Sequence, residues 1–110
     1  MLIIANTFTR PSTSVPFFVM PDEVTNEFLQ KYRYTGKNLS SVAQTSPDSL
    51  TGLVTTKWNT RADFQEFLAD PLSQTMRDLR NSYAAAHGIV SSTDINFIPS
   101  EGDVAPTPTP

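Results

Sequence analysis

Few side chains in this 110-residue chain can do chemistry, and their types narrow what that chemistry is. There is no cysteine, which excludes thiolate nucleophiles, thiolate metal sites and disulfides, and the single histidine, His87, cannot build an imidazole cluster. His87 precedes Gly88 at the end of a helical pattern, where an imidazole meets the last carbonyls and the negative end of the helix dipole. No serine sits in a nucleophile elbow, and no glycine loop suited to phosphate exists. Asp22, Glu23 and Glu27 crowd a helix start, where the dipole favours carboxylates, so they are read as terminal charge and no metal site is expected.

What remains is a handful of polar and aromatic groups on otherwise apolar elements. Asn6 is an asparagine in mid-strand that shares parity with Leu2, Ile4 and Phe8. Its amide is costly to bury unpaired, so it either satisfies an internal hydrogen bond or contacts a ligand. Trp58 closes an apolar strand, as core or as the wall of a cleft. Arg77 and Arg80 each follow an apolar residue, Met76 and Leu79, and their positions predict that they flank the apolar stripe in solvent or in salt bridges. Either is long enough to reach in and meet a carboxylate.

The elements that must position these groups follow from periodicity. Leu2 to Thr9 alternates as a strand, apolar on both faces. Arg10 to Met20 contains Pro11 and Pro16, which forbid helix, and reads as a loop whose apolar half, Val15, Phe17, Phe18 and Met20, folds back over something. Val24, Phe28, Leu29 and Tyr32 give a helix over about residues 22 to 34, stopped by Gly36. Asn38 to Thr45 and Leu50 to Trp58 form a hairpin about Ser46-Pro47-Asp48-Ser49. Thr60 and Asp63 resemble a capping box for a short helix carrying Phe64, Phe67 and Leu68. Asp70-Pro71 starts another helix, with a stripe predicted along Leu72, Met76, Leu79, Tyr83 and Ala86, ended by Gly88. A last strand carries Ile95 and Phe97 and dies at Pro99.

The order β, α, β, β, α, β, with the second helix split, is an α+β fold of ferredoxin-like type: an antiparallel sheet with helices on one face over residues 1–98. Ile3, Ala5, Val42, Leu53 and Ile98 are left for the bare face, and a homodimer joined sheet to sheet covers it. Residues 99–110 are read as an extended Pro-rich tail of polyproline II type. A formal charge of −3 with eight scattered basic residues argues against nucleic acid. No run approaches a membrane span and MLIIANTFTR reads as a strand, so a cytoplasmic location with no membrane partner is expected, and the Asn38-Leu39-Ser40 sequon is idle.

Trp58-Asn59-Thr60-Arg61-Ala62-Asp63-Phe64, followed by Phe67-Leu68 and Asp70-Pro71, resembles the dimeric α+β barrel superfamily of antibiotic biosynthesis monooxygenases. The resemblance covers most of residues 1–98, leaving the loop 11–20 and the tail outside. Its haem-degrading branch places an asparagine and a tryptophan as Asn6 and Trp58 stand here, but that branch's haem-ligating histidine falls at or beside Arg77, so no cofactor is implied. Its quinone-forming branch oxidises polycyclic phenols without cofactor, and Asn6, Trp58, Tyr83 and Arg77 match the types it uses.

Two expectations follow. In the first, an apolar cleft between sheet and helices, lined by Asn6, Phe8, Phe28, Val54, Trp58, Leu72, Met76, Arg77 and Tyr83 with Phe17, Phe18 and Met20 as a lid, binds a lipid-like (fatty-acid-type) or flat aromatic molecule, with cofactor-independent oxygenation as the chemistry implied by the resemblance. In the second, those aromatics fill the space and the chain is a non-catalytic dimeric interaction module.

Overall fold

The computed structural model describes residues 1–97; Ile98 and the Pro-rich tail 99–110 lie outside the described residues. Four strands, β1 (Leu2–Thr9), β2 (Asn38–Thr45), β3 (Thr51–Trp58) and β4 (Val90–Phe97), form one antiparallel sheet in the order β2-β3-β1-β4. The helices are α1 (Asp22–Phe28), which continues as a π-helical turn over Leu29–Arg33, then α2 (Arg61–Ala69) and α3 (Pro71–His87). This is the ferredoxin-like α+β arrangement that the periodicity predicts. The last strand starts earlier than expected, at Val90, two residues after Gly88, because Ser91, Ser92, Thr93 and Asp94 pair with β1 although their side chains advertise no apolar face.

Register decides which side chains share a face. Leu2 stands opposite Trp58 and Phe97, Ile4 opposite Thr56 and Ile95, and Asn6 opposite Val54 and Thr93. Leu2, Ile4 and Trp58 are buried under the helices with Phe28, Tyr32 and Leu72. Trp58 is the hub: its ring stacks on Phe67 at 5.2 Å and meets Phe28 and Tyr32 edge-on at 6.0 and 5.9 Å. Edge-to-face and offset contacts of this kind suit the ring quadrupoles. Truncating such a residue costs about 4 kcal/mol.

The π-turn has a definite consequence. Tyr34 N–H donates to Leu29 O at 2.8 Å, so one residue is added to the turn. Phe28 and Tyr32 both remain buried, and Arg33 donates through Nε to Asn38 Oδ1 at 2.7 Å and through Nη2 to Ser41 Oγ at 3.1 Å. Asn38 is fully buried opposite Trp58, beside a β-bulge, and its Nδ2 donates to Lys57 O at 3.3 Å, which leaves no room for a glycan on the sequon.

The helix boundaries follow local chemistry. Thr60 Oγ1 accepts from Asp63 N–H at 3.1 Å, and Asp70 Oδ1 accepts from Leu72 N–H at 2.9 Å with Pro71 in the first turn of α3. Gly88, at φ 72°, closes α3 in the left-handed region. His87 Nδ1 bonds the Tyr83 carbonyl at 2.9 Å and its ring stacks on Tyr83, the role expected of it. Asp70 does more than cap: its Oδ2 accepts from Tyr32 Oη at 2.6 Å and from Lys31 at 3.4 Å. The Tyr32 hydroxyl holds its carboxyl below the usual range, with the Leu72 N–H adding to the effect. Burial, then the same bond, raises the Tyr32 phenol.

Two pH limits follow from these shifts. Asp70 contributes stability above its ordinary value of 3.8 that is lost as pH falls through its lowered native value; Tyr32 contributes stability below 10.0 that is lost as pH rises beyond it. Asp70→Ala, which removes the cap and strands a buried phenol, is expected to cost about 3 kcal/mol by urea unfolding. Tyr32→Phe is expected to cost about 1 kcal/mol and to weaken the acid dependence. A cost for Asp70→Ala no larger than that for Tyr32→Phe contradicts the double role.

Candidate functional site

Between the sheet and the helices lies a cleft of about 720 Å³. One end is closed by Trp58, Phe28, Phe64 and Phe67. Ile4, Asn6 and Phe8 of β1 and Val54 and Thr56 of β3 line the sheet side, and Met76, Arg77, Arg80 and Tyr83 line the α3 side. Phe8, Phe28, Trp58 and Tyr83, large enough to fill this space in the second expectation, border it and leave it open.

Phe17, Phe18 and Met20 also line the cleft, and an arginine that sequence reasoning passed over fixes them there. Arg10 donates through Nε and Nη2 to Ser49 O, at 2.8 and 2.6 Å, and through Nη1 to Val15 O at 3.0 Å; its guanidinium lies 4.3 Å from the Phe17 ring centre. This ties the loop to the hairpin turn, where Ser49 takes φ 63° and Asp48 accepts from Ser46 Oγ and Leu50 N–H. The Phe17 ring packs over Gly52, 3.5 Å from where a Cβ there would stand, which is ordinary contact. Tyr83 Oη donates to Pro16 O at 2.6 Å and its ring meets Phe18 at 5.5 Å, so Tyr83 holds the lid to α3 and its hydroxyl is spent.

Leu72 departs from expectation: it is packed in the core with Trp58 and does not line the cleft. The stripe on α3 is also rotated. Leu79 is 37% exposed and Ala86 is exposed, whereas Ser73, Arg77, Arg80 and Ala84 join Met76 and Tyr83 at the cleft. At roughly 100° per residue, Arg80 falls near the middle of the inward arc. The expected stripe followed apolar type, but the orientation of α3 is set at its start, where Leu72 is locked into the core and Asp70 into Tyr32.

Arg77 and Arg80 therefore border the cleft, each partly buried. Arg77 makes two contacts with its own helix, Nε to Ser73 O at 3.4 Å and Nη2 to Gln74 Oε1 at 3.2 Å. Arg80 lies 5.8 Å from the Phe8 ring centre, at the outer limit of a cation–π contact. Among the described residues neither has a carboxylate partner. Burial pushes the Arg80 guanidinium below its usual value, and the Arg77 charge acts in the same direction.

The other polar groups are few. Asn6 Oδ1 accepts from Thr93 Oγ1 at 2.6 Å, which satisfies half of the amide and leaves the Nδ2 hydrogens without a partner among the described residues. Ser73 Oγ is buried with no hydrogen bond among the described residues, a situation that costs about 1–3 kcal/mol when nothing fills it. Among the described residues no three His, Cys, Asp or Glu side chains come together, and no helix is long and apolar enough to cross a membrane.

No family model matches the chain, and no curated protein does. Solved structures do. SnoaB, a cofactor-independent oxygenase from Streptomyces nogalater, superposes with a TM-score of 0.61 at 12% identity, covering 88% of this chain and 91% of that one. An antibiotic biosynthesis monooxygenase superposes at 0.54 with 19% identity, covering 89% and 98%. The chain thus has the α+β barrel fold of antibiotic biosynthesis monooxygenases, as the residues around Trp58 implied. Identities this low carry the fold alone.

A desolvated guanidinium without a counter-charge weakens the empty protein. Arg80→Met, which keeps the apolar stem, is expected to raise unfolding stability by about 1 kcal/mol in urea melts. A loss of that size instead shows that the charge is compensated in the free protein.

Proposed function

We propose that this chain is a homodimeric small-molecule-binding protein whose cleft takes one lipid-like (fatty-acid-type) or flat aromatic ligand per subunit. The observation that carries the reading is the open cleft of about 720 Å³, walled by aromatic and aliphatic side chains with a few convergent polar groups. That volume lies within the ordinary range of small-molecule sites. Open space beside Trp58 speaks against the interaction module with a filled core. Ligand enters past the Phe17 and Phe18 lid, buries its apolar body against Trp58, Phe28 and Met76, and meets the free Asn6 Nδ2 hydrogens with an oxygen.

The dimer reading rests on the outer face of the sheet. Val42 and Val90 are 51% and 71% exposed there, and Ile3, Ala5 and Leu53 are half-buried in a face that no described helix covers. A sheet-to-sheet two-fold contact removes that apolar surface from water.

Cofactor-independent oxygenation is a second reading, supported by the fold shared with SnoaB and by the unspent Asn6 amide. Here an electron-rich phenol docks with its oxygen on Asn6 and is oxidised by dioxygen, one oxygen atom entering the ring to give a quinone and the other leaving as water with the phenol hydrogen and the displaced ring hydrogen. Oxygen consumption with polycyclic phenols, absent in Asn6→Leu, supports this reading; binding without consumption leaves a carrier.

Native mass spectrometry of the purified protein is expected to show an added small-molecule mass on the wild type and none on Asn6→Leu, whose fold survives because only the Thr93 hydroxyl loses a partner. Bare protein in both, with Trp58 fluorescence unmoved by fatty acids or flat aromatics, overturns the cleft reading. Sedimentation is expected to give a dimer for the wild type and a monomer for Leu53→Asp; a wild-type monomer at tens of micromolar overturns the dimer.

A further inference from the structure

The cleft has a charge pattern unlike the rest of the molecule. The chain carries 11 acidic and 8 basic residues, yet Arg33, Arg77 and Arg80 line the cleft and no described carboxylate does. Arg33 is spent on the neutral oxygens of Asn38 and Ser41. Arg77 and Arg80, one turn apart on α3, repel each other, and Arg80 has no hydrogen-bond acceptor among the described residues. The Asn6 Nδ2 hydrogens are further donors, and the remaining polar lining, Thr25, Gln44, Thr45, Thr56 and Ser73 among it, is uncharged.

From this geometry we infer that the ligand is an amphipathic acid whose carboxylate is held by Arg80 and Arg77, its apolar body running toward Trp58. The inference rests on the cleft being a ligand site and deepens that reading by naming the head group. A carboxylate supplies the acceptors that a guanidinium fork matches in pairs, and it cancels the repulsion between the two cations. A neutral alcohol or hydrocarbon of the same shape leaves Arg80 desolvated and neither charge countered. The arginines thus act as the specificity element, at the lid end, where Phe8, Phe17, Phe18 and Tyr83 surround the entrance. The closed aromatic end accepts whatever tail fits, aliphatic or flat.

Trp58 is the only tryptophan, so its fluorescence reports occupancy from inside the cleft. Full-length protein is titrated at pH 7.5 with two matched pairs: dodecanoate against dodecanol, and 2-naphthoate against 2-naphthylmethanol. In at least one pair the acid is expected to bind about ten-fold tighter than the alcohol, and the responding pair identifies the tail as aliphatic or aromatic. In the Arg77→Gln/Arg80→Gln variant that advantage disappears while alcohol affinity is kept; Arg77→Lys/Arg80→Lys, which retains both charges, restores part of it and guards against a folding defect in the glutamine variant. Equal binding of acid and alcohol overturns the carboxylate assignment and leaves the cleft intact as a ligand site. An acid preference that survives in the glutamine variant overturns the assignment to this arginine pair. No response to any of the four compounds overturns both this inference and the cleft reading beneath it.

Discussion

The spacing between sheet and helices depends on one carboxylate. Asp70 caps α3 through Leu72 N–H and accepts the Tyr32 hydroxyl from the π-turn after α1, so two helices far apart in sequence are joined at a single side chain. Because Tyr32 also packs on Trp58 and Phe67, the join is seated in the aromatic core. α3 is therefore anchored at its start and rotated so that Leu72 faces inward. The remainder of α3 borders open space. A cleft results because the helices are held together at one end by packing and at the other by a lid of loop residues.

That arrangement divides the labour along α3. Its first turn is stabilising: Leu72 is core, and the Asp70 cap satisfies an otherwise orphaned N–H. Further along, the same helix exposes Ser73, Arg77 and Arg80 to the cleft, where one hydroxyl lacks a partner and one guanidinium is desolvated. These groups oppose folding in the empty protein, and residues that do so gather where a ligand supplies what the fold withholds. The lid follows the same logic. Arg10 spends its donors on the Ser49 and Val15 carbonyls and braces Phe17, while Tyr83 donates its hydroxyl to Pro16, so both hold the lid.

Much of the architecture was legible in the chain because it rests on local rules. The strand alternation of Leu2–Thr9, the Ser46–Ser49 turn, the Thr60 and Asp70 caps and the Gly88 stop each depend on a few neighbouring residues, and each stands where the local chemistry places it. Asn6 and Trp58 were visible as candidates for a cleft, one because an amide is out of place on an apolar strand face and the other because a large ring closes that strand. Arg10, Tyr32 as a donor to Asp70, and Ser73 gave no such sign. The partners of Arg10 and Tyr32 lie 39 and 38 residues away and Ser73 Oγ has none among the described residues, and local patterns carry nothing about contacts of that range.

The sequence by itself determined the order and type of the elements, the split at Asp70-Pro71 and the apolar character of the space between layers, because caps, turns and periodicity act over a few residues. Only the tertiary structure decided which face of α3 points inward. Apolar type chose Leu79 and Ala86 for that face; packing at Leu72 and the Asp70–Tyr32 bond turned the helix so that Arg77 and Arg80 took their place. Helical periodicity fixes the angles between side chains on one helix, but the rotation of the whole helix about its axis is set by its strongest long-range contacts, and here those contacts bring two cations to the wall of an apolar cleft.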